Sequence, residues 1–292
     1  MRNLFLVMMA FLAVATGQLK AQGAVSYGFK AGLNFISVNG REETDDNGEP
    51  AESFGNSTGF HIGANVNFRF TDHVGMRTEL LFSQKGFNNF YEGAAQSIYV
   101  ADSGNKIVLT GTANTGLSVF NNYIEVPVMF YVKPVEKIEL SFGASAGFLL
   151  SSTGSGNFQF TGNAPSSLPV NFEYALDYNF LKDAPGGADY TDPIYIDAGN
   201  ETLTLPSVAG AYYNFDSDEG NAYKTVDVSL NAGLAFYFNS ALYLGARVNY
   251  GLTDITNNAY DILRHKVDGT NYIKEPDTDR YFTIQASIGF NF

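Results

Sequence analysis

The stretch FTIQASIGFNF, residues 282–292, places an apolar residue at every second position and a small or polar residue between. Successive side chains of a β-strand point to opposite faces, so this stretch would form a strand with one wholly apolar face and one polar face. A helix would instead repeat its apolar residues every three or four positions. The stretch therefore predicts a strand that lies between two different environments.

Seven other stretches alternate in the same way, at residues 26–35, 60–70, 73–83, 123–133, 137–148, 226–238 and 242–250. Their lengths match the roughly 9 to 11 residues that a tilted strand needs to cross a membrane, whereas strands of soluble proteins average about 5 to 6. A soluble β-sandwich strand with one wet face would alternate too. The connections between the stretches decide between these two folds.

These connections alternate strictly between short and long. Three are tight, at residues 71–72, 134–136 and 239–241, and four are long, at 37–57, 84–122, 149–225 and 251–281. Outer-membrane barrels have short turns on the periplasmic side and long loops outside. The sequence therefore predicts an all-β protein of the outer membrane, a transmembrane antiparallel up-and-down β-barrel of eight strands with long extracellular loops.

Two local features do not fit this simple plan. Residues 170–180 also alternate, and because such strands occur in pairs, a ten-stranded barrel is the alternative. We expect instead an extracellular hairpin, with residues 157–161 or 202–205 as the partner strand. Pro127 lies inside the fourth stretch, where it has no N–H to donate, and it predicts a β-bulge there.

The ends and the composition set further limits. The apolar run at residues 4–15 is too short to span a membrane and is typical of a secretory signal peptide. We predict a signal peptide at 1–22, the barrel at 23–292, and within it a long extracellular loop insertion at 151–222.

The chain has no cysteine, which excludes disulfides and thiolate metal sites, and its formal net charge of −13 argues against a nucleic-acid partner.

Four segments resemble the PorT-type outer-membrane β-barrel family of Bacteroidota. They are FKAGLN at 29–34, ELLFSQKG at 79–86, YIEVP at 123–127 and YGLTDI at 250–255. The resemblance implies the same barrel fold, and the family's name-giving member assists protein secretion across the outer membrane. It also implies that periplasmic chaperones and the barrel assembly machinery act during biogenesis, with Phe290 and Phe292 of the last strand as the assembly signal.

The polar faces of the predicted strands carry charges of both signs into the lumen. We expect a polar network of Lys30, Arg69, Arg77, Glu79, Glu125, Glu139, Asp227 and Arg247, with Lys85 and Lys133 also facing inward. Eight strands leave an interior that side chains can fill, so these charges are expected to pair into a solid core. A narrow solute pore lined with basic residues is the alternative.

The long loops are acidic, most of all at residues 42–52 and 173–219. We interpret the protein as a membrane scaffold that displays these loops to outer-membrane lipids and lipopolysaccharide, or to an extracellular protein or glycan. An accessory role in secretion is the alternative implied by the resemblance. The three histidines, His61, His73 and His265, have no nucleophile at a diagnostic spacing, and residues 43–54 match a calcium loop poorly, so we predict no enzyme activity, cofactor or metal.

Overall fold

The computed structural model of the protein describes residues 25–45 and 47–292, so the predicted signal peptide at 1–22 lies outside the described residues. The described part forms strands only, and no helix in it is long and apolar enough to cross a membrane. In chain order the strands are β1 (Val25–Asn39), β2 (Glu52–Gly55), β3 (Ser57–Arg69), β4 (Val74–Val100), β5 (Lys106–Val135), β6 (Ile138–Asn163), β7 (Pro169–Asn179), β8 (Ala188–Asp189), β9 (Ile194–Asp197), β10 (Thr202–Leu205), β11 (Val208–Ala209), β12 (Val226–Tyr237), β13 (Leu242–Gly251), β14 (Ile262–Asp268), β15 (Asn271–Lys274) and β16 (Arg280–Asn291).

Eight of these strands pair into a closed ring. The order is β1, β3, β4, β5, β6, β12, β13, β16 and back to β1, and every pairing is antiparallel. The first and last strands close the ring, with Phe29 opposite Phe290. The predicted eight-stranded up-and-down barrel is therefore confirmed, and each predicted stretch lies within or overlaps one strand of the ring.

The outward face of the ring is apolar, as a lipid-facing surface requires. Aromatic side chains meet on this face across neighbouring strands. Ring centroids are 6.0 Å apart for Phe29 and Phe290, and 5.6 Å apart for Phe60 and Phe82. The apolar alternation of the sequence thus becomes the lipid-exposed surface of the barrel.

Strands β4, β5 and β6 are 27, 30 and 26 residues long, against 10 to 15 for the other five strands of the ring. They continue well past the apolar band, and β4 and β5 stay paired as far as Val100 opposite Lys106. The prediction that residues 84–122 form a loop is therefore wrong. Beyond about residue 85 the inward face of β4 carries the buried rings of Phe87, Tyr91 and Tyr99, and the outward face is mostly polar although Phe90 is exposed on it. The barrel pattern therefore ends although the strands do not.

The strand β7 extends this projecting part on the side of β6. Residues 170–180 form an extracellular hairpin as predicted, with Phe158 opposite Tyr174. Of the two partner segments considered, residues 157–161 pair with β7, whereas residues 202–205 form β10 and pair with β9. We call the projecting parts of β4, β5 and β6, at residues 86–100, 106–121 and 151–163, together with β7, the outer sheet.

One face of the outer sheet carries an apolar core. Aromatic and aliphatic side chains from β4 to β7 pack there against β9 and β10 and the segment around them. Its most buried members include Tyr91, Leu109, Phe160, Leu203 and Leu205. The predicted loop insertion at 151–222 is therefore a packed part of the structure. Its first residues complete β6, Pro169–Asn179 form β7 of the outer sheet, and residues of β9 and β10 pack on that sheet.

The bulge predicted at Pro127 is not formed. Pro127 pairs with Ser145 in an unshifted register, and the ladder between β4 and β5 is only interrupted opposite it, at Glu79 and Leu80, because proline has no N–H to donate. The two register shifts of the β5–β6 ladder lie on either side of Pro127, between Asn122 and Tyr123 and between Val132 and Val135. Loss of a donor is accommodated here without an inserted residue.

Candidate functional site

The middle of the lumen is occupied by one carboxylate that binds two cations. Glu79 of β4 accepts two hydrogen bonds from Arg247 of β13, at 2.9 and 2.7 Å, and lies 2.8 Å from the Nζ of Lys30 on β1. The three side chains are at most 8% exposed. Because β4, β13 and β1 are not neighbours in the ring, these contacts between their side chains cross the lumen.

A second group lies toward the periplasm. Arg77 contacts both oxygens of Glu139, at 2.9 and 3.0 Å, and the hydroxyl of Tyr237 donates to Glu139 at 2.9 Å. The guanidinium of Arg77 also lies over the rings of Tyr131 and Tyr243, at 5.5 and 5.7 Å from their centroids. Aromatic faces attract a cation, so this group is held by charge and by packing together.

A third group closes the outer end of the lumen. The ammonium of Lys85 lies 2.6 Å from Glu125 and 2.9 Å from Asp227, on three different strands. The rings of Tyr123 and Tyr281 lie 5.2 and 5.3 Å from the same ammonium. All five side chains are buried.

The charges inside the barrel balance. Four buried cations, Lys30, Arg77, Lys85 and Arg247, face the four buried anions Glu79, Glu125, Glu139 and Asp227. The prediction that Arg69 belongs to this network is wrong, because Arg69 ends β3 at the periplasmic mouth and is exposed. It borders a cavity of about 330 Å³ there, together with Lys133, whose Nζ lies 3.8 Å from Glu139.

The three histidines lie in different parts of the molecule. His61 is buried in the lumen, with its ring nitrogens 2.8 Å from Asn34 Oδ1 and from Ser287 Oγ. His73 lies at a periplasmic turn, with Nδ1 2.9 Å from the carbonyl of Lys133. His265, on β14, has its Nδ1 2.7 Å from Glu43 Oε1. His61 and Ser287 thus form a contact between an imidazole and a hydroxyl, but both side chains are buried among the polar residues of the lumen.

Outside the lumen, a cavity of about 220 Å³ lies at the extracellular mouth of the barrel, and we call it the outer-mouth cavity. One side is aromatic, with Phe87, Phe180 and Tyr223, and the ring centroids of Phe180 and Tyr223 are 4.9 Å apart. Carboxylates dominate the other side, where Asp261, Asp277 and Asp279 come from the fourth long connection. The sequence analysis did not identify these residues as a site, although residues 254–279 contain five aspartates.

Burial and mutual repulsion act on these carboxyl groups. The pKa of Asp279 is raised to about 7, first by desolvation and then by the charge of Asp277. The pKa of Asp261 is raised to about 6 for the same two reasons, and that of Asp277 is raised chiefly by burial. Among the described residues, no group of three or more acidic or histidine side chains is arranged to hold a metal ion.

A closed antiparallel ring with an apolar outer face and a filled polar lumen defines an outer-membrane β-barrel protein. Residues 17–257 match the family model described as the outer membrane protein beta-barrel domain. The chain belongs to this family, and its location is the outer membrane. No curated protein matches the chain.

Several solved structures of low sequence identity are similar to this chain. Ail, the attachment invasion locus protein of Yersinia pestis, solved with the heparin analogue sucrose octasulfate, is 11% identical with a TM-score of 0.33, over 93% of this chain and 100% of that chain. Neisserial surface protein A is 10% identical with a TM-score of 0.36, over 92% and 99%. OprG from Pseudomonas aeruginosa is 9% identical with a TM-score of 0.33, over 92% and 97%.

Proposed function

We propose that this protein is a non-conducting display barrel, a membrane scaffold whose acidic outer sheet and loops contact a partner outside the cell. The observation that carries the proposal is the filling of the lumen at three successive levels by buried ion pairs, centred on Glu139, Glu79 and Lys85. Burying so many charges is favourable only if each has its partner, which favours a solid core over a solvated path.

The outer sheet supports the display role. Its outward face is polar and accessible, with exposed carboxylates at Glu92 of β4 and at Glu173 and Asp177 of β7. The partners that fit this surface are lipopolysaccharide, approached through divalent cations that bridge carboxylates and phosphates, or an extracellular protein or glycan. A role as an accessory of protein secretion is favoured only by the sequence resemblance to PorT-type barrels.

Conductance of the refolded protein in planar lipid bilayers tests the filled lumen. We expect no stable current steps under conditions in which a general porin, reconstituted in parallel, gives them. Steady steps of defined size would overturn the proposal and favour the pore alternative. The cavities at the two ends of the lumen would then have to join through the Lys85 group.

The display role has its own test in binding to lipopolysaccharide. The triple variant Glu92→Gln, Glu173→Gln, Asp177→Asn keeps the shape of each side chain and removes its charge. In lipid nanodiscs with magnesium, we expect the wild type to retain lipopolysaccharide and the variant to retain much less. If both proteins retain lipopolysaccharide equally, these carboxylates do not contact it. The partner to be sought is then an extracellular protein or glycan.

A further inference from the structure

The residues that line the outer-mouth cavity have no part in the proposed display role. It lies between the first long connection, the projecting strands β4 and β5, and the β14–β15 hairpin, and it opens beside Arg41, whose side chain is 62% exposed. Packed aromatic residues, including Tyr123 and Tyr281, separate it from Lys85 in the lumen. A ligand would thus reach it from outside the cell and remain there.

The charges around the cavity are unequal. Six carboxylates and two arginines line it. Arg41 forms a salt bridge with Glu275 at 2.6 Å and Arg264 with Glu52 at 3.4 Å, and the ring of His265 lies within hydrogen-bond distance of Glu43, at 2.7 Å. Three carboxyl groups remain, those of Asp261, Asp277 and Asp279, so the cavity repels anions and favours a positively charged ligand.

Two of these carboxyl groups lack part of their hydrogen bonding within the described chain. Oδ2 of Asp261 and Oδ1 of Asp279 are buried without a hydrogen-bond partner, while Oδ2 of Asp279 accepts a bond from Thr256 at 3.0 Å. Nearby Asp254 already pairs with Lys224 at 2.6 Å. A cation in the cavity would relieve the repulsion among the remaining three.

The opposite wall decides which kind of cation fits. Phe54, Phe87, Phe180 and Tyr223 form a connected aromatic surface, with ring centroids 4.9 to 6.4 Å apart. Aromatic faces bind the apolar body of a ligand and also attract an ammonium or guanidinium group. A bare metal ion would require oxygen ligands on all sides, which this wall lacks.

We propose that the outer-mouth cavity binds a small organic cation, an ammonium or guanidinium group carried on an apolar or aromatic body. The charged group lies on the side of Asp261, Asp277 and Asp279, and the body packs against Phe180 and Tyr223. This site requires the outer-membrane topology but is independent of the display role and of whether the lumen conducts.

Three probes of one shape test the proposal: benzylamine, benzyl alcohol and benzoate, which are cationic, neutral and anionic. Each is titrated calorimetrically into the full protein in lipid nanodiscs at pH 8, with empty nanodiscs as the blank. We expect benzylamine to bind at least about tenfold more tightly than benzyl alcohol, the effect of one favourable charge contact, and benzoate not to bind. Equal binding of benzylamine and benzyl alcohol overturns the charge assignment, and absence of binding by all three overturns the site.

A matched pair of variants locates the binding. Asp261→Asn with Asp277→Asn should weaken benzylamine binding about tenfold, whereas Asp192→Asn, the same change at an exposed loop position, should leave it unaltered. Unchanged affinity in the double variant overturns the location. The wild-type comparison of the three probes decides the proposal even where the double variant does not fold.

The pH dependence provides a second readout on the wild type. Binding of benzylamine should weaken severalfold from pH 8 to pH 5, because Asp261 and Asp279 take up protons in this range. The charged groups that face these two carboxyl groups are Asp254, Asp277 and Lys224, with Arg41 beside Asp277. Constant affinity over this range would overturn the role of the two aspartates.

Discussion

The membrane barrel and the outer sheet share three strands and have opposite interiors. Along β4 the inward face carries Arg77, Glu79 and Lys85 inside the membrane, and then Phe87 and Tyr91 beyond it. The outward face changes in the reverse sense, from lipid-facing apolar side chains to mainly polar ones such as Asn88, Glu92 and Gln96, although Phe90 is also exposed there. A single strand therefore reverses its polarity where its surroundings change from lipid to water.

The physical reason is the solvent on each side. In lipid, apolar side chains cover the outside, and the polar ones must satisfy each other inside. In water, burial of apolar surface drives packing, so the aromatic residues turn inward. The barrel interior consequently depends on paired charges, whereas the outer sheet depends on close packing, and changes to each should have different consequences.

The largest effect is expected in the barrel, from Glu79→Gln. This change leaves Lys30 and Arg247 buried without their anion, and removal of one partner of a buried pair costs about 3 to 5 kcal/mol. The midpoint of thermal unfolding in detergent, followed by the heat-dependent shift on gels, measures it. Glu92→Gln, the same change at an exposed position of the outer sheet, should stay within about 0.5 kcal/mol. Equal losses in the two variants would contradict the contrast between the regions.

A smaller effect, confined to the outer sheet, is expected from Phe172→Ala. Phe172 is 5% exposed and packs on Phe160 and Tyr99, with centroids 5.4 and 5.7 Å away. Truncation of such a residue costs about 3 kcal/mol. Hydrogen exchange should speed up in β6 beyond residue 152 and in β7, while barrel unfolding stays unchanged. Phe90→Ala, at a half-exposed ring on the outward face, is the control. An equal shift in barrel unfolding would show that the two regions unfold as one unit.

The third prediction concerns pH at the junction of the two regions. Asp279 has a pKa raised to about 7, above the value of about 4 in an unfolded chain, so its contribution to stability is greatest at low pH and is lost as the pH rises through 7. From pH 5 to 7 the local loss should be about 2 to 3 kcal/mol. Protection of the Ile255 amide, which donates to the carbonyl of Asp279 at 2.9 Å, reports it. Asp279→Asn should remove this pH dependence, and its persistence would assign it to another group.

The smallest effect on stability is expected at the lipid-facing end of β16, from Phe292→Ala. Phe292 is 70% exposed, and its ring lies 6.3 and 5.9 Å from the rings of Phe29 and Phe290, so the refolded variant should lose no more than about 1.5 kcal/mol. Assembly in cells should nevertheless fall steeply if Phe290 and Phe292 form the assembly signal. Phe70→Ala, a similarly exposed ring at a periplasmic turn, should assemble normally. If assembly in cells and stability in detergent fall equally, Phe292 contributes only to stability and is not part of an assembly signal.

Much of the barrel could be predicted from sequence because lipid imposes a strict two-residue period. The ends of the predicted strands 282–292 and 242–250 lie within two residues of the ends of the observed strands β16 and β13. The same two-residue alternation correctly placed the side chains of Lys30, Glu79 and Arg247 in the lumen. The alternation could not show that Arg69 lies at the periplasmic mouth of the barrel, because this depends on where β3 ends.

The sequence by itself determined the strands, their inward and outward faces, and the alternation of short turns with long connections. Only the tertiary structure decided which charges meet, because Arg77 pairs with Glu139 across the ring of strands and Lys85 joins groups on β5 and β12. It also decided that residues 84–122 and 151–163 continue as strands. The buried aromatic residues of these segments, such as Phe87, Tyr91 and Phe160, face inward because segments far along the chain pack over them. The local alternation of the sequence does not reveal that contact.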